Sequence, residues 1–464
     1  MRSCRGQGTN MTRAEKNQSW PEWFTPQQID TVIVAFVGVC GRLLGKRVTH
    51  DYFVNHVLDS SVHVCNYLMT VDIEMNVLPG FKLASWEQGY GDFQMRPDLH
   101  TLRRLPWQEG TAVVLGDLFH HDGSVVVESP RSLLTGQTER LAERGIKACM
   151  GSELEFHLFD EDYAAIEKKN FRDLVPASDY LIDYHILQPG RDEDVLRRLR
   201  NEMTEAGISV ESSKGEWGKG QHEVNLLYAE AVEMADRHVL YKTGAKDIAA
   251  QQGKAITFMA KLDTEQAGSG FHVHSSLWDL EGKANLFWDP QSRGPSELFR
   301  QFLGGLLKYS RELTYFFAPT INSYKRYQHS SWAPTAIVCG YDNRTCGFRV
   351  VGSGNSLRIE NRMPCADANP YLAFAATLAA GARGVEEKLD GDTAYQGNAY
   401  EDETLSRLPG SLEEAVDLLA GSELARRAFG AEVVDFYVHA ARLEAEAFRK
   451  AVTDWERRRY FEQM

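Results

Sequence analysis

The run Thr31 to Cys40, TVIVAFVGVC, is apolar and rich in β-branched residues. After a turn containing Gly41 comes GRLLGKRVT, and the pair predicts a hairpin opening an N-terminal sheet. TAVVLGDLF at 111–119 and SVVVES at 124–129 flank His121-Asp122-Gly123 and predict a second hairpin. Pro130 closes this region. From Ser132 the apolar spacing turns helical and stops at Gly145. Further helices are predicted over 191–206, 230–251, 296–313, 369–388 and 422–450, with strand-like runs alternating irregularly between them. The fold class this implies is α+β: a polar, disordered extension over 1–20, a small sheet domain over 21–128 and a large domain over 129–464. Met11 lies inside the extension and could be a second start.

Composition narrows the partners. The 464 residues are 43% hydrophobic and 25% charged, enough apolar material for buried cores. Lys and Arg number 51 against 65 Asp and Glu, a net charge of −14, which disfavours phosphate backbones and anionic lipid. No nucleic acid and no membrane is therefore expected as a partner. The longest early apolar run is far short of the roughly 20 residues of a membrane span. The seven cysteines are scattered and contain no CxxC pair, which fits reduced thiols in the cytoplasm.

Candidate chemistry comes in pairs with a spacing of two. In GSELEF, Glu153 and Glu155 share one face of a strand, and in GSGFHVHSS, His272 and His274 do the same. KGEWGKGQHEVNL adds Glu216 and Glu223 around a Gly-rich turn, and RIENRMP alternates Arg358, Glu360 and Arg362. Each pair alone is also what a solvated face or an ion-pair ladder looks like. Together they offer carboxylate and imidazole donors suited to Mg²⁺ or Mn²⁺. Arg326, Arg344 and Arg349 bring to five the guanidinium groups between 326 and 362, and planar cationic forks suit phosphate and carboxylate oxygens. Metal plus Arg is the combination phosphoryl transfer needs. GRLLGKR at 41–47 has the wrong spacing for a phosphate-binding P-loop, and neither GSG segment completes a dinucleotide fingerprint.

In order along the chain, GSELEF, KGQHEVNL, GSGFHVHSS, NSYKR, NRTCGFR, RIENRMP and DANPYL resemble the signature segments of the glutamine synthetase superfamily. The resemblance implies a β-grasp-like N-terminal domain and a catalytic domain built on a curved antiparallel sheet with helices. It implies two metals per site, one held by Glu155, Glu216 and Glu223, the other by Glu153, His272 and Glu360. ATP is the implied co-substrate: His274, Arg344, Arg349 and Arg358 would surround the transferring phosphate, with Tyr228 and Ser276 near the nucleotide. Gly268, Arg326 and Arg362 match glutamate-binding positions. The implied reaction passes through γ-glutamyl phosphate, and the implied assembly is a dodecamer of two hexameric rings.

The sequence also departs from that pattern. Members that use ammonia carry a flap Glu six residues after the Arg of the SYKR segment; here the position is Trp332. Their partnering N-terminal Asp falls near Leu78-Pro79, where no carboxylate stands. An apolar indole in place of an anionic ammonium pocket implies an organic amine as acceptor, as in the γ-glutamylpolyamine, γ-glutamylethanolamide and γ-glutamylisopropylamide synthetases. A glutamine synthetase using ammonia, or a non-catalytic member with a structural role, stays open as an alternative. Ala267 replaces a commonly found Asn and Asn355 a common Lys. Tyr400 falls where some members carry a regulatory Tyr, and reads here as an ordinary surface residue.

Overall fold

The computed structural model describes residues 20–391 and 394–464. All but the last residue of the expected N-terminal extension lies outside the described residues. The first sheet has the strands β1 Thr31–Val37, β2 Leu43–Thr49, β3 Val62–Cys65, β4 Asp92–Pro97, β5 Arg103–Arg104 and β6 Thr111–Phe119, with β2-β1-β6-β4-β3 as its order and β5 paired to β6. The expected hairpin forms between β1 and β2, while β1 runs parallel to β6. Alternation then divides the side chains. Val32, Val34 and Phe36, with Ala112, Val114 and Leu118, bury one face against Phe53 and Val57 of the helical segment 50–60. Ala35, Val37, Val113 and Leu115 point the other way and join the large core that includes Leu134 and Leu240.

The second expected hairpin forms only at its tip. His120 and Ser124 close the turn, with His120 N–H donating to the Ser124 carbonyl at 2.8 Å, but SVVVES makes a single bridge, Val125 to Phe119. Val126 is buried in the first core and its N–H donates to the Leu118 carbonyl at 3.0 Å, but Val125 and Val127 are 43% and 51% exposed, so the run is anchored at one residue and does not extend as a strand.

The second sheet contains β7 Ile146–Phe159, β8 Val210–Gly215, β9 Gln221–Glu230, β10 Ala255–Thr257 and β11 Phe271–Asp279. A two-residue ribbon, β12 Trp288–Asp289 with β13 Gly294–Pro295, stands apart from it. The strands β14 Cys339–Tyr341, β15 Phe348–Val351 and β16 Arg358–Asn361 complete the order β14-β15-β16-β11-β7-β9-β8. All its pairings are antiparallel except β14 with β15.

The apolar face of this sheet packs on helices close to the predicted ones: Pro130–Ala142, Glu193–Glu205, Ala231–Gln251, Glu297–Tyr309 and Pro370–Glu387. Side-chain caps start several of them, Ser296 accepting from Phe299 N–H and Asn369 from Tyr371 N–H ahead of Pro370. The helix predicted over 422–450 is two, Glu423–Phe429 and Ala431–Lys450, because Gly430 sits at φ 99°, outside the helical region. Arg131 ties the layers together. It donates twice to Asp236 at 3.1 Å and once each to Asp117 on β6 and Asp98 beside it, both at 2.7 Å. No helix among the described residues is long and apolar enough to cross a membrane. Cys40, Cys65, Cys149, Cys339, Cys346 and Cys365 are free thiols.

Candidate active site

The sheet register gathers the polar pairs. Across β7, β11 and β9, Glu153 lies opposite His272 and Glu155 opposite Glu223; Glu360 on β16 lies opposite both His274 and Arg349. Period-2 alternation puts all of these on one face, while Leu154, Phe156, Val224, Phe271, Val273 and Ile359 fill the core on the other. Glu153, His272 and Glu360 bring their donor atoms within 4.8 Å of one another, and so do Glu155, Glu223 and His272. The sequence expected Glu216 in the second group. Its carboxylate instead pairs with Lys214, which also reaches Asp183 at 3.2 Å. Lys214 sits two residues before Glu216 and so projects to the same side, a competitor the Gly-rich turn did not reveal.

The hydrogen bonds assign imidazole protons. His272 Nδ1 stands 2.6 Å from Glu153 Oε1, and a carboxylate only accepts, so this nitrogen carries the proton. Arg358 Nε donates to His274 Nδ1 at 3.2 Å, leaving the N–H of His274 on Nε2, which faces Glu153 Oε2 at 3.4 Å. Burial pushes the Glu153 carboxyl up, but the two imidazoles outweigh it and hold the group well below its usual range. Glu360 behaves alike: burial raises it, while Arg362, His274 and His272 bring it down to about 2.

Glu223 goes the other way. Burial raises it, and the carboxylates of Glu153 and Glu216 raise it further, to well above the ordinary value, with only Lys214 opposing. Glu216 is raised by burial and by Glu155 against the pull of Lys214. This side of the site is short of positive charge. Hard oxygen donors that repel one another fit a divalent cation, whose binding would also require the imidazole proton on any nitrogen it used to leave.

Two cavities open on this face, and Glu153 lines both. The larger, about 760 Å³, takes in Glu155, Glu216, Glu223 and His272 together with Gly268, Arg326, Arg344, Arg349, Arg362 and Trp332. Arg326 is buried, donating to the carbonyls of Met363 at 3.0 Å and Arg362 at 3.3 Å. A Cβ on Gly268 would lie 2.5 Å from the Ala260 carbonyl and 2.8 Å from Arg326 Cγ, so only glycine lets these backbones meet. Arg349 donates to Glu360 at 2.9 Å. Trp332 adopts φ 65° and rests edge-on against Trp217, their rings 5.6 Å apart.

The second cavity, about 490 Å³, is lined by Tyr228, His274, Ser276, Asn355 and Arg358. The candidate nucleotide residues thus divide, with Arg344 and Arg349 facing the first cavity and these the second. Trp278, which the sequence reading missed, stacks on Tyr228 with centroids 6.2 Å apart and planes 10° from parallel, and donates to Ser276 Oγ at 2.9 Å. Continuing the alternation from His272 through His274 and Ser276 would have found it. Trp217, Asp183 and Tyr184 also line the first cavity and carried no sequence signal. Tyr400, expected at the surface, is buried, its hydroxyl donating to the Ala333 carbonyl at 2.8 Å.

A mixed N-terminal sheet ahead of an antiparallel sheet carrying this acidic, imidazole and guanidinium face defines the class, and residues 127–460 match the glutamine synthetase catalytic domain. The chain belongs to the glutamine synthetase family, as its seven segments indicated. It is 50% identical over 436 residues to a γ-glutamylethanolamide synthetase of Streptomyces coelicolor, covering 94% of this chain and 93% of that one. It is 37% identical over 445 residues to a glutamate–isopropylamine ligase of Pseudomonas sp, covering 95% and 97%. Glutamine synthetase of Pyrococcus abyssi is 36% identical over 413 residues, covering 84% and 89%. A solved GmaS–ADP complex superposes with a TM-score of 0.82 at 28% identity, covering 94% of this chain and 97% of that one.

Proposed function

We propose that this protein is an ATP-dependent ligase joining the γ-carboxylate of glutamate to an organic amine, with release of ADP and phosphate. One observation carries the reading. The edge of the larger cavity presents Trp332 against Trp217, an apolar surface for a carbon skeleton where ammonia users carry a carboxylate. The names of the relatives from Streptomyces coelicolor and Pseudomonas sp, amides of ethanolamine and isopropylamine, support it.

In this reading Arg326 and Arg362, with the backbone at Gly268, hold glutamate in the larger cavity. Tyr228, Ser276 and Arg358 hold the nucleotide in the smaller one, and the phosphates pass Glu153 toward His274, Arg344 and Arg349. These Arg groups offset charge as the γ-carboxylate attacks the γ-phosphorus, and Arg349, already held by Asp342 and Glu360, has little to reorganise at that moment. The amine then displaces phosphate from γ-glutamyl phosphate. Glu155, Glu216 and Glu223 would hold one divalent ion, with Lys214 released from Glu216, and Glu153, His272 and Glu360 a second. Mg²⁺ or Mn²⁺ there supplies neutralisation of phosphate charge.

The boundary near 128/129, a cytoplasmic location supported by the free thiols, and a dodecamer of two hexameric rings belong to the same proposal; light scattering tests the last. The reaction is tested with purified enzyme, glutamate, ATP, Mg²⁺ and a panel of amines, reading ADP release and the mass of the product. Turnover of ethanolamine, isopropylamine or a polyamine above ammonia is the expected result. Ammonia turning over best would remove the reading.

A further inference from the structure

We propose that Tyr400 is a positioning residue for acceptor selection: its buried hydroxyl fixes the segment that presents Trp332. This rests on Trp332 facing the amine, as proposed above.

The backbone around Trp332 needs an explanation. Ser330 and Trp332 both lie in the left-handed region, at φ 55° and 65°, which is uncommon for residues other than glycine and an outlier for a side chain as large as indole. Such conformations persist only where the surroundings over-determine them. Trp332 is 48% exposed and Trp217, its ring neighbour, 45%, so that contact alone does not impose the backbone.

From outside its own turn, the segment is constrained by residues 397–408. Tyr400, 8% exposed, donates to the Ala333 carbonyl at 2.8 Å, one residue from Trp332, and its ring lies 5.5 Å from that of His329. Farther along, Ile337 N–H donates to Ser406 and Leu408 N–H to Thr335, while Arg407 reaches Thr335 Oγ1 at 2.8 Å. The first half of 329–337 is held from within by Ser331 Oγ, which donates to the Gln328 carbonyl at 2.7 Å, and from outside by Tyr400 and by Glu401, 3.1 Å from His329; the second half is held by backbone pairing. The strut is anchored on the phosphate side of the site. Ala399 N–H donates to Thr345 Oγ1 at 3.0 Å, and Asn343 Nδ2 to the Gly397 carbonyl at 2.9 Å, on either side of Arg344. Residues 397–400 therefore bridge the loop of Arg344 and the loop of Trp332.

Tyr400→Phe keeps the ring and removes only the donor. The expected result is a KM for the acceptor raised about tenfold, the scale of one buried hydrogen bond, with KM for glutamate and ATP within about twofold and a melting temperature lowered by no more than about 4 °C. A cycle with Trp332→Ala separates positioning from general loosening: Tyr400→Phe should add nothing in the Trp332→Ala background. The same effect of Tyr400→Phe in both backgrounds, or equal changes in all three KM values, overturns the proposal. The acceptor assayed is whichever the wild-type enzyme turns over best. If that is ammonia, the amine reading falls and the coupling is still measured.

Discussion

Arg131 grips Asp236 through two nitrogens, both at 3.1 Å, in a place where neither side chain meets solvent appreciably. The same guanidinium also serves Asp98 and Asp117 at the first sheet, and Tyr371 donates its hydroxyl to Asp236. One cation answers three carboxylates. Removing it leaves Asp236 buried without its cation, with Tyr371 its remaining donor, so Arg131→Met should lose about 3 kcal/mol or more in denaturant unfolding. Asp117 is partly exposed, and Asp117→Asn should lose less than about 1 kcal/mol. Equal losses would show that the network is not centred on Asp236.

His272 is common to both groups of converging donors. His272→Ala should therefore remove more of the stabilisation that Mg²⁺ or Mn²⁺ confers in thermal melts than Glu216→Gln, which touches one ion alone and should leave the other bound. Wild-type enzyme should gain about 3 kcal/mol at an ion concentration a hundred times its Kd. Isothermal titration on each variant checks the order.

Selectivity should move with one side chain. Trp332→Glu puts a carboxylate where the indole stands, and the ratio of kcat/KM for ammonia to that for the preferred amine should rise by about tenfold or more. If the ratio is unmoved, the acceptor does not meet residue 332.

Buried histidines set the acid limit. His238 is enclosed against Phe271, bonded to Ser152 Oγ at 2.8 Å, and burial holds its imidazole well below the usual value. The unfolded chain takes up a proton near pH 6.5 that the folded one refuses, so stability is lost as pH falls through 6.5 toward the folded value. His157, lowered by burial and by His222 to about 4, acts in the same direction between 6.5 and 4. Each contributes up to about 1.4 kcal/mol per pH unit. In melts between pH 5 and 8, His238→Gln should flatten the slope relative to wild type.

The fold was legible wherever period and polarity agreed. Glu153, Glu155, His272, His274 and Glu360 announce strands whose other faces are apolar, and register alone brings them together. Side-chain partners chosen by turn geometry or by contacts distant in sequence were not legible. Lys214 takes Glu216 through a hairpin whose geometry the Gly-rich turn does not specify, and Trp217 meets Trp332 across 115 positions. SVVVES carried strand propensity, yet Val126 alone of its three valines finds an apolar surface. Gly430 could be a flexible point in one helix or the break between two, and only packing decides. Tyr400 sits in a polar stretch, and its burial depends on the loop it supports.

The sheet of residues 31–119 shares its second apolar face with the catalytic half, through Ala35, Val37, Val113 and Leu115. A cut in the chain near residue 128 would therefore divide one oily interior between two fragments, each left with a bare patch. Truncations meant to shorten this enzyme should keep both halves, and grafting a foreign N-terminal module would require recutting those four side chains to the new seam.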